Sequence, residues 1–153
     1  MAIRFAQPKD IPALVELGRR MHALTRFRDQ PYSEHKVGRA FEALIGKGEG
    51  KYVFFVAEDG QARVIGGLIG VLEQQIFADH LVASVMHYDV LPEARMGGYG
   101  VRLLKAFEQW ARNRKVYEIS LGVNSGAETE KISQFAQRMG YRKVGENFVL
   151  ACR

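Results

Sequence analysis

The 153-residue chain is predicted to fold as one three-layer α/β domain with a mixed central sheet, spanning 1–153. Three observations carry this. Apolar periodicity switches between strand and helix spacing in the order β-α-α-β-β-β-α-β-α-β. Three consecutive strands joined by turns demand antiparallel pairing, whereas a later strand–helix–strand passage demands a crossover, so the sheet must be mixed. The composition, 47% hydrophobic and 25% charged, is that of an ordinary globular domain.

Taken in order, Ile3 to Ala6 reads as a short first strand, stopped by Gln7-Pro8. Asp10 is placed to cap the first helix, with Pro12 in its first turn, where backbone donors are free anyway. Ile11, Leu14, Leu17, Met21 and Leu24 form its buried stripe. A loop from Thr25 to Tyr32 precedes a second helix capped by Ser33, carrying Val37, Phe41, Leu44 and Ile45, and ended by Gly46. Lys47 to Gly50 reads as a turn. Tyr52 to Ala57 is a dense apolar strand expected to be buried on both faces, and Val64 to Gln74 returns from a hairpin at Glu58 to Gln61. Gly66, Gly67 and Gly70 lie inside that returning strand, where glycine is unfavourable unless a bulge or close neighbour needs the room. Leu81 to Val90 is the next strand. A helix over 101–114 follows, then a strand over 117–123. Ser125 and Glu128 have capping-box spacing before a last helix bearing Ile132, Phe135, Ala136 and Met139, with Gly140 at its C′ position. Val144, Phe148 and Leu150 suggest a final strand or hairpin over 141–152.

The stretch richest in chemistry is Arg95-Met96-Gly97-Gly98-Tyr99-Gly100, between a strand broken by Pro92 and a helix. The first-turn N–H groups of such a helix lack intrahelical partners, and the helix dipole favours an anion there. Glycines let backbone approach a phosphate without Cβ atoms in the way. A dinucleotide fingerprint would need glycine where Leu103 stands, and a P-loop would need lysine and a hydroxyl where Val101-Arg102 stands.

The bulk numbers exclude other classes. No apolar run reaches membrane-spanning length, and the first ten residues lack the apolar core of a signal peptide. The single cysteine, Cys152, rules out an internal disulfide framework and suits a reducing, cytoplasmic setting. Lys and Arg total 22 against 17 Asp and Glu, for a net charge of +5. These basic residues are dispersed and accompany no nucleic-acid motif, so an anionic cofactor accounts for them better than nucleic acid does.

Arg-x-x-Gly-x-Gly after a proline-broken strand resembles the pyrophosphate loop of the GCN5-related N-acetyltransferase (GNAT) family. The opening Ile3-to-Leu14 segment is similar to that family's first strand and helix, and Phe135 to Tyr141 is similar to the end of its last helix. The resemblance covers nearly the whole chain and implies acetyl-CoA as acyl donor, with no metal. It also implies roles for particular positions. Val90 and Leu91 would hydrogen-bond the pantetheine arm through their backbone. The N–H groups of Met96, Gly97, Gly98, Tyr99, Gly100 and Val101 would cradle the pyrophosphate, with Arg95 at its edge. Asn124 would contact the pantetheine.

Acetyl transfer needs a neutral amine, hence a base or a water relay. Ser84 stands eleven residues before the loop arginine, where relatives place a carboxylate or histidine. Strand alternation would put His87 and Asp89 on the face opposite Ser84 and Met86 unless a bulge intervenes. Ser84, His87 and Glu73 are therefore the catalytic candidates, set against plainer readings of His87 as a packed histidine and Glu73 as a solvated strand end. Ala136 stands where the family often has a tyrosine acid. The expected acceptor is a primary amine of a small molecule or peptide, with the Arg26–Phe27–Arg28 loop bearing on its choice. Alternatives are a macromolecular amine (protein or aminoacyl-tRNA) and a non-catalytic acetyl-CoA-binding module. The resemblance makes a homodimer through the C-terminal strands plausible.

Overall fold

The computed structural model describes residues 2–46 and 50–152. Five strands form one sheet in the order β1-β2-β3-β4-β5: β1 Ala2–Phe5, β2 Tyr52–Glu58, β3 Val64–Gln74, β4 Leu81–Val90 and β5 Glu118–Leu121. The first four pair antiparallel and β5 lies parallel to β4, so the sheet is mixed. Four helices cover it: α1 Ile11–His22, α2 Glu34–Gly46, α3 Tyr99–Asn113 and α4 Thr129–Arg138. Of the turn expected over 47–50, residues 47–49 lie outside the described residues. Among the described residues no helix is long and apolar enough to cross a membrane.

Sequence periodicity translates into two apolar layers. Leu14, Leu17 and Met21 of α1 pack on Ala6, Phe54, Val56 and Ile69, with Phe41, Leu44 and Ile45 of α2 beside them. On the other face Leu103, Leu104, Phe107 and Trp110 of α3 pack on Val53, Phe55, Leu68 and Ala83, joined by Phe135 and Met139 of α4. Val53 to Ala57 is buried throughout, because β2 is an interior strand and both its faces are covered.

The glycines of β3 answer to their neighbours. A Cβ on Gly70 would fall 2.1 Å from the ring of Phe107, so that position exists to seat an α3 aromatic against the sheet.

Three local expectations are corrected. Asp10 precedes α1 but makes no side-chain cap to it. Its carboxylate turns back instead, accepting from the Gln7 N–H (2.7 Å) and from both terminal nitrogens of Arg4 (2.8 and 2.9 Å). A guanidinium on the first strand offers a charge-assisted fork that outweighs a single helix N–H. The Ser125–Glu128 capping box does not form either. Glu128 itself precedes α4 at φ +48°, and its carboxylate pairs with Arg95 (2.7 Å). Residues 141–152 form no final strand, and Val144, Phe148, Val149 and Leu150 are left exposed. Gly145-Glu146-Asn147 divides that apolar run into pieces too short to alternate, and β5 offers an edge of only 4 residues. The α4 terminus is as expected: Gly140 has φ +96° and the Tyr141 N–H closes on the Ala136 carbonyl (3.0 Å).

The Arg4–Asp10 pair yields a testable pH dependence. Asp10 is buried, and its hydrogen bonds from Arg4 hold its carboxyl below the usual range. A depressed carboxyl pKa contributes stability that is complete above about pH 4 and is lost as pH falls through the folded value. Asp10→Asn should therefore lower urea stability at pH 7 by about 2 kcal/mol. The gap to wild type should narrow as pH drops below about 4. A gap independent of pH would remove the ion pair from this account.

Candidate functional site

The site is organised by a defect in β4. Its pairing with β3 runs Val71 opposite Ser84 and Gly70 opposite Val85, then jumps to Ile69 opposite His87. Met86 is the extra residue of a bulge, and the strand changes parity there. Ala83 and Val85 below the bulge, and Tyr88 and Val90 above it, all belong to the α3-side core. His87 and Asp89 therefore share the α1-side face with Ser84, contrary to simple alternation. The sequence carries this signal: core-type residues sit at odd positions through Val85 and at even positions from Tyr88 on. The bulge is the exception that alternation allows for, and it brings His87 and Asp89 round to the Ser84 side.

The bulge also splits the sheet. Beside β5, β4 is paired only from Val82 to Val85, opposite Glu118 to Leu121. Above that point its outer edge is open. The Leu91 N–H donates to the Ile65 carbonyl (2.9 Å), and the Leu91 carbonyl accepts from Ala94 (2.9 Å), so both Leu91 groups are taken within the chain. Alternation of the antiparallel ladder then turns the main-chain groups of Tyr88 and Val90 toward the opening. The Val90 carbonyl does point away from β3, since it accepts from Arg95 Nε (3.2 Å).

The open edge leads into the glycine stretch. Pro92–Gly97 forms a 3-10 turn that includes Arg95, Met96 and Gly97, and Gly98 follows at φ +77° with open space around its Cβ direction. The Arg102 N–H bonds the Gly98 carbonyl (3.1 Å), leaving the N–H groups of Tyr99, Gly100 and Val101 without helical partners. The Tyr88 hydroxyl donates to the Gly100 carbonyl, tying α3 to β4, and burial pushes that phenol well above its usual range. Met96 is fully exposed at the loop's tip.

Ion pairs and main-chain bonds brace the opening. Arg95 reaches across to Glu128 at the start of α4, while Lys131 holds the other Glu128 oxygen (3.5 Å). Arg20 of α1 clamps Glu93 with two 2.8 Å bonds that lower the Glu93 carboxyl to about 2. Arg26 donates through Nε to the Asn124 carbonyl (2.7 Å) and through its N–H to Ser125 (2.8 Å), joining the α1–α2 loop to the β5–α4 loop. Asn124 is thus at the rim beside the end of β5, exposed. His87 is exposed and Ser84 partly buried. Glu73 is exposed opposite Val82, at the hairpin end of β4 far from the glycine turn, so it does not join the others.

The architecture recurs in solved structures. A mutant form of a Bacillus halodurans protein is 19% identical, with a TM-score of 0.83 covering 100% of both chains. A putative acetyltransferase from Agrobacterium tumefaciens is 19% identical, with a TM-score of 0.79 over 99% of each chain. Glucosamine-6-phosphate N-acetyltransferase from Arabidopsis thaliana is 13% identical, with a TM-score of 0.78 over 99% of this chain and 98% of that one. At these identities the likeness establishes a shared fold. No curated protein sequence matches the chain. Residues 18–141 match the model of the acetyltransferase (GNAT) family, and the chain belongs to that family.

Proposed function

We propose that the protein transfers the acetyl group of acetyl-CoA to a primary amine of a small molecule or peptide, in the cytoplasm. The observation that carries this reading is the split in the sheet. An unpaired β4 edge runs directly into a glycine-lined helix N-terminus, giving main-chain partners for an extended amide arm and then for a pyrophosphate. Such an arm adds to the edge as a strand would, through Val90 and Tyr88, because Leu91 has no main-chain group to offer. The N–H groups of Tyr99, Gly100 and Val101, with the approach opened at Gly97 and Gly98, hold the phosphates. Arg95 exchanges Glu128 for them, and Asn124 lines the arm from the β5 side.

Acetyl-CoA supplies an activated acyl group as a thioester. The chain supplies orientation and an N–H at Tyr88 facing the opening, placed to stabilise the charge that develops on the acyl oxygen. The acceptor enters on the α1 side, bordered by Ser84 and His87 and by the loop carrying Arg28.

Calorimetric titration of acetyl-CoA and CoA, followed by free-thiol release across a panel of small amines and N-terminal peptides, tests the reading. Binding with amine-dependent thiol release is the expected result. Binding without release for any amine would identify an acetyl-CoA-binding module, and release only with protein or aminoacyl-tRNA would identify a macromolecular acceptor. No binding would end the proposal.

A further inference from the structure

We propose that Asp89 is the general base of the transfer, its carboxylate standing on the acceptor side of the β4 bulge and taking the proton of the attacking amine. The assignment rests on the acetyl-transfer reading above. It begins with placement. Asp89 pairs with Gly67, whose Cβ direction points at Leu14 of α1, so Asp89 lies on the α1 face of the sheet. It sits between Tyr88 and Val90, the two residues whose main-chain groups face the opening. No other carboxylate lies on β4.

The second argument is what the carboxylate lacks. Asp89 is partly buried, yet among the described residues nothing donates a hydrogen bond to it or pairs with it. The charged groups that bear on it are His87 on its own strand and Arg95 of the following turn. Gly67 opposite and Leu14 above carry no charge. Arg95 is engaged by Glu128 and the Val90 carbonyl. Desolvation raises the Asp89 carboxyl above the ordinary range. A partly buried carboxylate without a protein partner is costly to keep, and the N–H of an arriving neutral amine would supply the missing donor. The same group then serves as the proton acceptor, with a basicity raised toward the working pH. Ser84 cannot hold a proton's charge, and His87 on the same face is exposed where Asp89 is partly buried.

The step balances without a tyrosine at position 136. The amine nitrogen attacks the thioester carbon, forming C–N, while Asp89 takes one proton from that nitrogen. The C–S bond breaks, the sulfur leaves as thiolate, and the proton on Asp89 returns through solvent to that sulfur. Products are the acetamide and free CoA thiol, with Asp89 ionised again.

The test is Asp89→Asn, with Asp89→Glu retaining the charge. Below the titration of Asp89, log kcat/KM for the amine should rise with a slope of about two, and above it about one, because the acceptor itself must lose one proton throughout. Asp89→Asn should keep a slope of about one, lose roughly 100-fold in kcat and bind acetyl-CoA unchanged. Asp89→Glu should retain the steeper limb.

Stability gives a readout independent of turnover. A carboxyl raised on folding stabilises the native state only below its unfolded pKa, near 4, and that contribution is gone once pH passes the folded value. At pH 8 Asp89→Asn should therefore melt at the same or a higher temperature than wild type. An unchanged rate and profile would overturn the assignment alone. A destabilised Asp89→Asn protein that no longer binds acetyl-CoA would overturn it in favour of a structural role. Wild type that transfers to no amine would overturn it together with the acetyl-transfer reading.

Discussion

Gly70→Ala should destabilise the protein by about 3 kcal/mol, although alanine ordinarily suits a strand better than glycine does. The added Cβ would fall 2.1 Å from Cε1 and 2.8 Å from Cδ1 of Phe107. That ring is fully buried and stacks on Trp110 at 5.8 Å, so it has no free volume to swing into. For a chain of this size the shift in Tm is roughly 10 °C. The clash makes a specific demand on a double-mutant cycle. Phe107→Leu alone opens a cavity and destabilises, yet in the Gly70→Ala background it should restore part of the loss. The coupling should be about 1–3 kcal/mol, read from chemical denaturation. A Gly70→Ala protein as stable as wild type would show that α3 does not seat here. The effect also reaches the site, because Gly70 lies at the register shift facing the β4 bulge.

That close approach illustrates what the sequence could and could not convey. Gly66, Gly67 and Gly70 advertised a crowded strand, but whether a ligand or a side chain did the crowding depended on which α3 residue sat opposite. Periodicity set the element order, since Leu14, Leu17 and Met21, or Leu103, Phe107 and Trp110, have nowhere to go but a core face. It failed for 141–152, where apolar residues exist without a continuous period. The capping failures at Asp10 and Glu128 share one cause. Each carboxylate found an arginine distant in sequence or in another element, Arg4 on β1 and Arg95 before α3, and a charge-assisted pair displaced the local bond. The glycine turn was legible because it depends on backbone freedom, which Gly98 at φ +77° states in its residue type. The bulge was written more faintly, in the parity of Ala83 and Val85 against Tyr88 and Val90. Only the ladder register shows that it is present, and with it the face on which Asp89 stands.

Gly98→Asp/Gly100→Asp should abolish acetyl-CoA binding at concentrations that saturate wild type, while leaving α3 at least as stable as in the uncharged Gly98→Asn/Gly100→Asn protein. The two readouts separate because the same charge acts on them with opposite sign. A carboxylate at the first turn of α3 lies against the unpartnered N–H groups of Tyr99, Gly100 and Val101, where an anion favours the helix by about 0.3–1 kcal/mol. It thereby takes the place proposed for the pyrophosphate and repels it. At the intermediate dielectric of a protein surface that repulsion is on the order of 2–3 kcal/mol, roughly 30- to 150-fold in Kd. Geometry adds a part that must be subtracted. Gly98 occupies a left-handed backbone region, and a Cβ on Gly100 would stand 3.3 Å from the Tyr88 hydroxyl. The Gly98→Asn/Gly100→Asn protein carries the same shape without the charge, so the difference between the two pairs isolates the electrostatic share. That difference should shrink as salt rises, since these groups are exposed to solvent. Equal binding by both pairs and by wild type would mean that no phosphate lies at the head of α3. Loss by both pairs alike would make backbone freedom the whole requirement. A loss confined to the aspartates, alongside a Tm equal to or above that of the asparagine pair, requires a bound anion at the N-terminus of α3.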